Sequence, residues 1–191
     1  LRTSQPKISG DDQSNDPLVL QALKGKTVAA TQIISREELL KEGKDLAERA
    51  YLKIIRTPKA EPRKEDHEEN GMMLKAAAPI IDESGVIIGA LYGGILLNQN
   101  PEIVDRVKEI VYKGEKYKGR EIGTATIFKD DLRISTNVKN VKGERAIGTQ
   151  VSKEVFQAVL KQGKPWVDRA FVVNDWYITA YEPIKNIEGK I

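Results

Sequence analysis

An internal repeat constrains this chain more than any other feature. The segment Leu74–Ile87 aligns without gaps with Ile178–Ile191, 104 residues further on, and five positions are identical. The proline is among them, as Pro79 in the first copy and Pro183 in the second. Because repeat arrays need about three copies to bury a continuous core, two copies exclude a solenoid and predict a tandem of globular modules.

The length and composition fit two such modules. A chain of 191 residues allows one large domain or two modules of about 90 residues each. The absence of cysteine excludes disulfide scaffolds, thiolate metal sites and cysteine nucleophiles. A net charge of +3, mixed evenly along the chain, does not indicate a nucleic-acid partner. The longest apolar stretch, Val86–Leu97, is too short for a membrane span of about 20 residues. Because the chain begins at Leu1 and stops at Ile191, beside an unfinished strand pattern, we expect it to be an excised fragment.

Capping residues and hydrophobic periodicity predict mixed α and β structure. Helices are predicted after Asp16, Ser35, Asn100 and Ser152, ending near Gly25, Leu52, Gly114 and Gly163. Strands are predicted over 72–81, 86–97, 124–128, 132–136, 170–173 and 176–181, the last two joined by Asn174 and Asp175. The charged run from Lys59 to Asn70 reads as a surface loop. The fold class is therefore α/β (α+β), with antiparallel sheets flanked by helices.

Four motifs carry a resemblance to a known family. The runs 123–128, 133–138, 145–149 and 176–184 resemble the membrane-proximal half of a double Cache sensor domain of the Cache 3/Cache 2 fusion type. The run 71–94, with 98–101 after it, resembles the membrane-distal half. The resemblance implies two PAS-like modules, distal over 1–100 and proximal over 122–191, with a connecting helix and linker over 101–121.

The resemblance also implies a function and a location. Double Cache domains are extracytoplasmic sensors of histidine kinases and chemoreceptors, so the implied parent is a membrane-anchored homodimer and the implied partner is a small molecule. The family's long N-terminal helix is missing before Leu1, which leaves a monomeric fragment as an open alternative. The motif that holds amino acids in some members is also missing. No cofactor is implied.

Catalytic motifs are absent from the sequence. There is no Gly-x-Ser-x-Gly, no His-Glu-x-x-His and no phosphate-binding Gly-Lys-Ser/Thr loop. The single histidine, His67, stands in an acidic run that favours a solvated loop over a metal ligand. We therefore expect a binding domain and not an enzyme.

Binding candidates in the second half lie on predicted strands. Arg133 alternates with Leu132 and Ile134, and its guanidinium is suited to a carboxylate; the alternative is a surface arginine paired with an aspartate. Trp176 shares a face with Ile178, and the opposite face carries Tyr177, Thr179 and Tyr181. Those aromatic residues are either pocket walls or ordinary core and rim.

Candidates in the first half surround Lys75. This lysine lies in an apolar strand, either on a solvated face or as the partner of an anion in a pocket. Met73 and Tyr92 flank the same sheet. Gly89, Gly93 and Gly94 remove side chains from the next strand, which indicates either close backbone approach to a ligand or a bulge.

The cationic candidates decide the expected ligand class. Arg133, Arg145 and Lys75 favour a small organic anion. The alternative to a sensor is a binding or adhesion module without signalling output.

Overall fold

The computed structural model describes residues 7, 9, 10 and 12–191. It is a mixed α+β structure with antiparallel sheets, as the sequence predicts. In chain order its elements are α1 Pro17–Ala22, β1 Val28–Ile34, α2 Arg36–Glu42, α3 Lys44–Ala50, β2 Leu52–Lys53, β3 His67–Glu68, β4 Gly71–Ile81, β5 Ile87–Leu96, α4 Pro101–Tyr112, β6 Lys116–Tyr117, β7 Arg120–Glu121, β8 Thr126–Lys129, β9 Leu132–Thr136, α5 Lys153–Val155, a π-helical segment Phe156–Lys161, β10 Trp166–Val172 and β11 Asp175–Tyr181.

The chain divides into two compact units. The first unit contains the described residues up to Ala50, then Asn70–Leu96 and Ile184–Ile191. The second unit contains Tyr51–Glu69 and Leu97–Pro183. Neither unit is one continuous stretch, so this division follows boundaries different from those of the modules suggested by the sequence.

The first unit is built on a three-stranded antiparallel sheet in the order β1-β4-β5. Asp16 caps α1 by accepting hydrogen bonds from the backbone N–H groups of Leu18 and Val19. The helix then buries Leu18 and Ala22 against Ala77 of β4. The other face of the sheet carries exposed aliphatic side chains.

Glycine divides the predicted helix after Ser35. Ser35 and Glu38 form the expected capping box. The helix stops at Gly43, whose backbone is extended, and α3 begins at Lys44. The prediction of one helix to Leu52 is therefore wrong, because glycine has little preference for remaining helical.

The second unit contains the hairpins β8–β9 and β10–β11. Every residue of β9 is buried. Its backbone also pairs with the next segment, since Arg133 N–H donates to Thr149 O and Gly148 N–H donates to Arg133 O. The π-helical segment and α5 pack Val155 and Val159 against Ala170 of β10.

The β10–β11 turn lies one residue earlier than the sequence suggests. Val172 pairs with Asp175, so the connecting residues are Val173 and Asn174. Val173 has a φ of 61°, in the left-handed region that β-branched residues rarely adopt. The sequence prediction is wrong here because Asn174 and Asp175 are the residues that ordinarily favour this geometry.

The segment Tyr51–Glu69, named the strap here, is more than a surface loop. Its two ends pair as β2 and β3. Glu68 lies 2.8 Å from the buried Lys129 ammonium, and Arg63 lies 3.0 Å from the buried Asp131 carboxylate. The loop prediction for Lys59–Asn70 is wrong in this respect, because its charges have buried partners within the second unit.

Candidate ligand-binding site

The most unusual side chain of the second unit is Arg133 on β9. It is only 1% exposed. Its Nη1 donates to Thr149 Oγ1, and its guanidinium carbon lies 4.8 Å from the Phe128 ring centroid. Its Nε is buried and has no hydrogen-bond partner in the part of the chain that the structure describes. The alternative of a surface arginine paired with an aspartate is therefore wrong.

Burial without a counter-ion determines the electrostatics of this group. Removal from water lowers the pKa of Arg133 to about 10, because the charged form loses its hydration. The nearby Tyr181 hydroxyl opposes this shift weakly, and burial raises the pKa of Tyr181 itself. Within the described residues, no carboxylate lies within ion-pair distance of the Arg133 guanidinium.

Aromatic side chains connect Arg133 to the neighbouring hairpin. The rings of Phe128 and Tyr181 lie 5.9 Å apart at their centroids. Tyr181 is the cross-strand neighbour of Trp166, and both pack against the cluster of Val151, Val155, Val159 and Ala170. Tyr181 thus lies on the inner face of the hairpin.

Two further polar atoms in this region are buried without a partner among the described residues. They are the indole Nε1 of Trp166 and the hydroxyl of Ser152. Ser152 occupies the N-cap position of α5, yet its side chain makes no capping bond. Because nearly all buried polar groups in native proteins are hydrogen-bonded, the unsatisfied groups of Arg133, Ser152 and Trp166 make this part of the second unit a candidate ligand site.

The chemistry of these groups favours an anion. A guanidinium offers a planar fork of N–H donors that matches carboxylate and phosphate oxygens. Indole N–H is also a donor, while the hydroxyl of Ser152 can donate or accept. An anionic ligand would supply the counter-ion that Arg133 lacks.

Lys75 of the first unit is also buried, but its charge is matched. Its Nζ lies 2.6 Å from Asp16 Oδ2 and 5.3 Å from the Tyr92 ring centroid. Burial acts to raise the pKa of Asp16, but hydrogen bonds from Lys75 and the backbone outweigh it and lower that pKa. The alternative that Lys75 lies on a solvated face is wrong. Its ammonium already forms an ion pair with the Asp16 carboxylate. Met73 packs against the cluster around Leu39.

The remaining candidates lie outside the Arg133 surroundings. Arg145 forms a two-pronged ion pair with Asp105 of α4, at 2.9 and 2.6 Å, and this bond lowers the pKa of Asp105. Trp176 is 45% exposed and lies under the Lys59 ammonium at 4.3 Å. Tyr177 is exposed on the same hairpin.

Comparison with protein families identifies the second half of the chain. Residues 95–191 match the model of the family described as single Cache domain 3. This chain belongs to the single Cache domain 3 family. The matched stretch includes Arg133 and all the unsatisfied groups around it. No curated protein and no solved structure matches the sequence.

Membership in the Cache family sets the general role. Cache domains are extracellular sensor modules of signalling receptors, and they typically bind small molecules. The match extends over one Cache domain and does not include a fusion of two. Among the described residues, no helix is both long and apolar enough to cross a membrane.

Sequence reasoning missed several residues of this candidate site in the Cache domain. Phe128 and Thr149 were within the family motifs but were not singled out, and Trp166 lay outside the predicted strand. The hairpin is four residues longer at its start than predicted, which brings Trp166 opposite Tyr181. The one usable signal was Ser152, a small polar residue beside the apolar run of the following helix.

Proposed function

We propose that this chain is the ligand-sensing part of a transmembrane receptor and that it binds a small organic anion at Arg133. The observation that carries the proposal is the buried guanidinium, whose Nε has no hydrogen-bond partner and which has no carboxylate beside it among the described residues. A buried cation is costly unless it is paired. A bound carboxylate removes that cost, so the free energy of ligand binding includes the relief of an unfavourable feature of the empty domain.

The site also offers a way to report occupancy. Thr149 holds Nη1 of Arg133, and the segment containing Thr149 contacts the strap. The backbone N–H of Ile55 donates to Gly148 O at 2.8 Å, and Gln150 N–H donates to Thr57 Oγ1 at 2.8 Å. An anion that draws Arg133 away from Thr149 would alter this segment and with it the strap. The ligand must bind one arrangement better than the other for a signal to result.

The receptor context extends the proposal. The first unit would be a second Cache module, and the parent protein a homodimeric sensor histidine kinase or chemoreceptor of the periplasmic or extracellular face. The chain itself would sense and would not catalyse a reaction. Sequencing the gene beyond Ile191 tests this context: a membrane span followed by a kinase or methyl-accepting region supports it, and a secretion or adhesion repeat contradicts it.

The direct test is a thermal-unfolding screen with acetate, pyruvate, succinate, benzoate and, as uncharged counterparts, acetamide and benzamide. A ligand present at 100 times its dissociation constant stabilises the native state by about 2.7 kcal/mol. We expect at least one carboxylate to raise the unfolding temperature and its amide to fail. Arg133→Met should abolish the shift.

Arg145→Met is the matched control, because Arg145 lies in the same unit and already has a carboxylate partner. It should leave ligand binding intact. A carboxylate that binds equally to the wild type and to Arg133→Met would contradict the proposal, as would a screen in which no carboxylate at 10 mM stabilises the wild type.

A further inference from the structure

A cavity of about 300 Å³ lies in the first unit, in a region that contains none of the unsatisfied groups around Arg133. This is about the volume that ten water molecules occupy in the liquid. Most of its wall is aliphatic and includes Leu18, Ile33, Met72, Ile187 and Ile191. A cavity of this size and lining is suited to a small, mainly apolar molecule.

The cavity is formed where the segment Ile184–Ile191, named the tail here, runs along the edge of β1. Thr31 and Asn186 form a parallel bridge, and Thr31 Oγ1 donates to Lys185 O at 3.3 Å. Asn186 folds the end of the tail, since its Oδ1 accepts from the backbone N–H groups of Glu188 and Lys190 at 3.0 and 2.9 Å. The tail therefore makes one wall of the cavity.

One polar group in the wall, the side-chain amide of Gln32, has an acceptor oxygen without a hydrogen bond among the described residues. Gln32 donates from Nε2 to Asp16 Oδ2 at 3.2 Å, which orients its amide. Its Oε1 is then buried and has no hydrogen-bond partner among the described residues. A buried acceptor of this kind costs about 1–3 kcal/mol while it is unsatisfied.

The charges beside the cavity are already paired. Asp16 is neutralised by Lys75, and Lys190 lies 2.7 Å from Glu188. Neither charge pair requires a charged ligand. The unmet requirement is therefore for a neutral donor, such as a hydroxyl or an amide N–H, attached to an apolar body.

We propose that this cavity is a second binding site, which takes a small neutral amphipathic molecule whose hydroxyl or N–H donates to Gln32 Oε1. Because that oxygen is shielded from solvent, the ligand reaches it as the tail Ile184–Ile191 shifts on β1. Binding here thus couples a ligand to the position of the tail, independently of the anion proposed at Arg133.

The test compares two isomers, 1-hexanol and methyl pentyl ether, which have the same atoms but differ in the presence of a donor. Titrations are followed by the methyl NMR signals of the isoleucines. We expect both to shift Ile33, Ile187 and Ile191, with the alcohol binding about fivefold or more tightly, the ratio that one neutral hydrogen bond supplies.

Three variants locate the effect. Gln32→Met should remove the preference for the alcohol, whereas Gln21→Met, a control on α1 that does not line the cavity, should retain it. Ile191→Trp should block both probes, because the indole fills the cavity from an exposed position that tolerates the change. Arg133→Met should leave alcohol binding unchanged, which separates this site from the anion site.

Two results would overturn the inference. One is equal affinity for the alcohol and the ether in the wild type. The other is binding that shifts methyl groups elsewhere, or shifts none, with the probes near their solubility limits. Either result would stand whatever the carboxylate screen shows.

Discussion

Replacing Arg133 with methionine should leave the empty domain as stable as the wild type or more stable. A pKa lowered to about 10 means that burial disfavours the charged guanidinium by about 3 kcal/mol. Against this stand one hydrogen bond to Thr149, worth about 1 kcal/mol, and the contact with Phe128, worth about 1–2 kcal/mol. Thr149 Oγ1 also donates to Ala146 O at 2.6 Å, so the substitution leaves that hydroxyl partnered.

These contributions predict a change in unfolding free energy between about 0 and +1 kcal/mol. Methionine fills much of the arginine volume with an apolar chain, and such replacements of buried charges are often neutral or stabilising. The assay is urea unfolding of the ligand-free chain, in which a change of 1 kcal/mol moves the midpoint by roughly 0.3–1 M. Arg145→Met, which breaks a partly exposed ion pair, should lower stability by about 1 kcal/mol or less.

A loss of more than about 2 kcal/mol in Arg133→Met would refute the reasoning. It would mean that the contacts of Arg133 within the chain outweigh the cost of burying it, and that the residue is structural. If Arg133 is a binding residue, Arg133→Met should lose carboxylate binding without losing stability. Functional residues commonly reduce the stability of the fold that contains them, so their removal need not destabilise it.

Two other predictions concern contacts within a single unit: the Asp16–Lys75 ion pair of the first unit and the close packing at Gly148 of the second. The lowered pKa of Asp16 means that its stabilising contribution is present above about pH 4 and is lost as the pH falls through its folded-state pKa. Lys75→Met removes this contribution at every pH, so it should lower the free energy of urea unfolding at pH 7 and make that free energy fall less on acidification below about pH 4; an unchanged pH dependence would contradict the pairing. Gly148→Ala should destabilise the chain by about 2–4 kcal/mol in urea unfolding, because Gly148 has a φ of 81° and an added Cβ would overlap the carbonyl oxygen of Lys53. Gly143→Ala, at a φ of 82° with open space around it, is the control for backbone strain alone and should cost about 1 kcal/mol.

Local patterns predicted most of the regular structure. The apolar runs around Gly85 form the hairpin β4–β5, and Asn100 with Pro101 begins α4 as expected. These features depend on residues close together in sequence, where capping and turn chemistry act directly. Gly43 was the exception, because one glycine can end a helix or be tolerated within it.

Contacts between distant segments could not be predicted. The partner of Lys75 lies 59 residues away, and the pair forms only after α1 docks on β4. The partners of Asp131 and Lys129 lie in the strap, which the sequence suggested was a solvated loop. In each case the sequence shows the charged residues, but it does not show which distant segment brings the oppositely charged partner next to them.

The repeat itself shows where sequence similarity stops determining structure. Pro79 lies inside β4 and faces Ala90, whereas Pro183 follows the end of β11. Residues beyond Pro79 continue into the hairpin with β5, but those beyond Pro183 join the edge of β1 as the tail. Proline, which has no backbone N–H to donate, is tolerated in both places because the pairing of β1 with β4 ends at Ala77, before Pro79, and Pro183 lies outside β11.

The comparison of Lys75 with Arg133 carries the functional argument furthest. Both are cations buried in antiparallel strands, and each lies near an aromatic ring, Tyr92 in one case and Phe128 in the other. Lys75 has the Asp16 carboxylate at 2.6 Å, so the chain itself supplies the counter-ion of this lysine. Arg133 has a hydroxyl instead, and in the described part of the chain its Nε has no partner. If the domain senses an anion, the buried cation that these residues leave without a counter-ion is the one we expect to bind it.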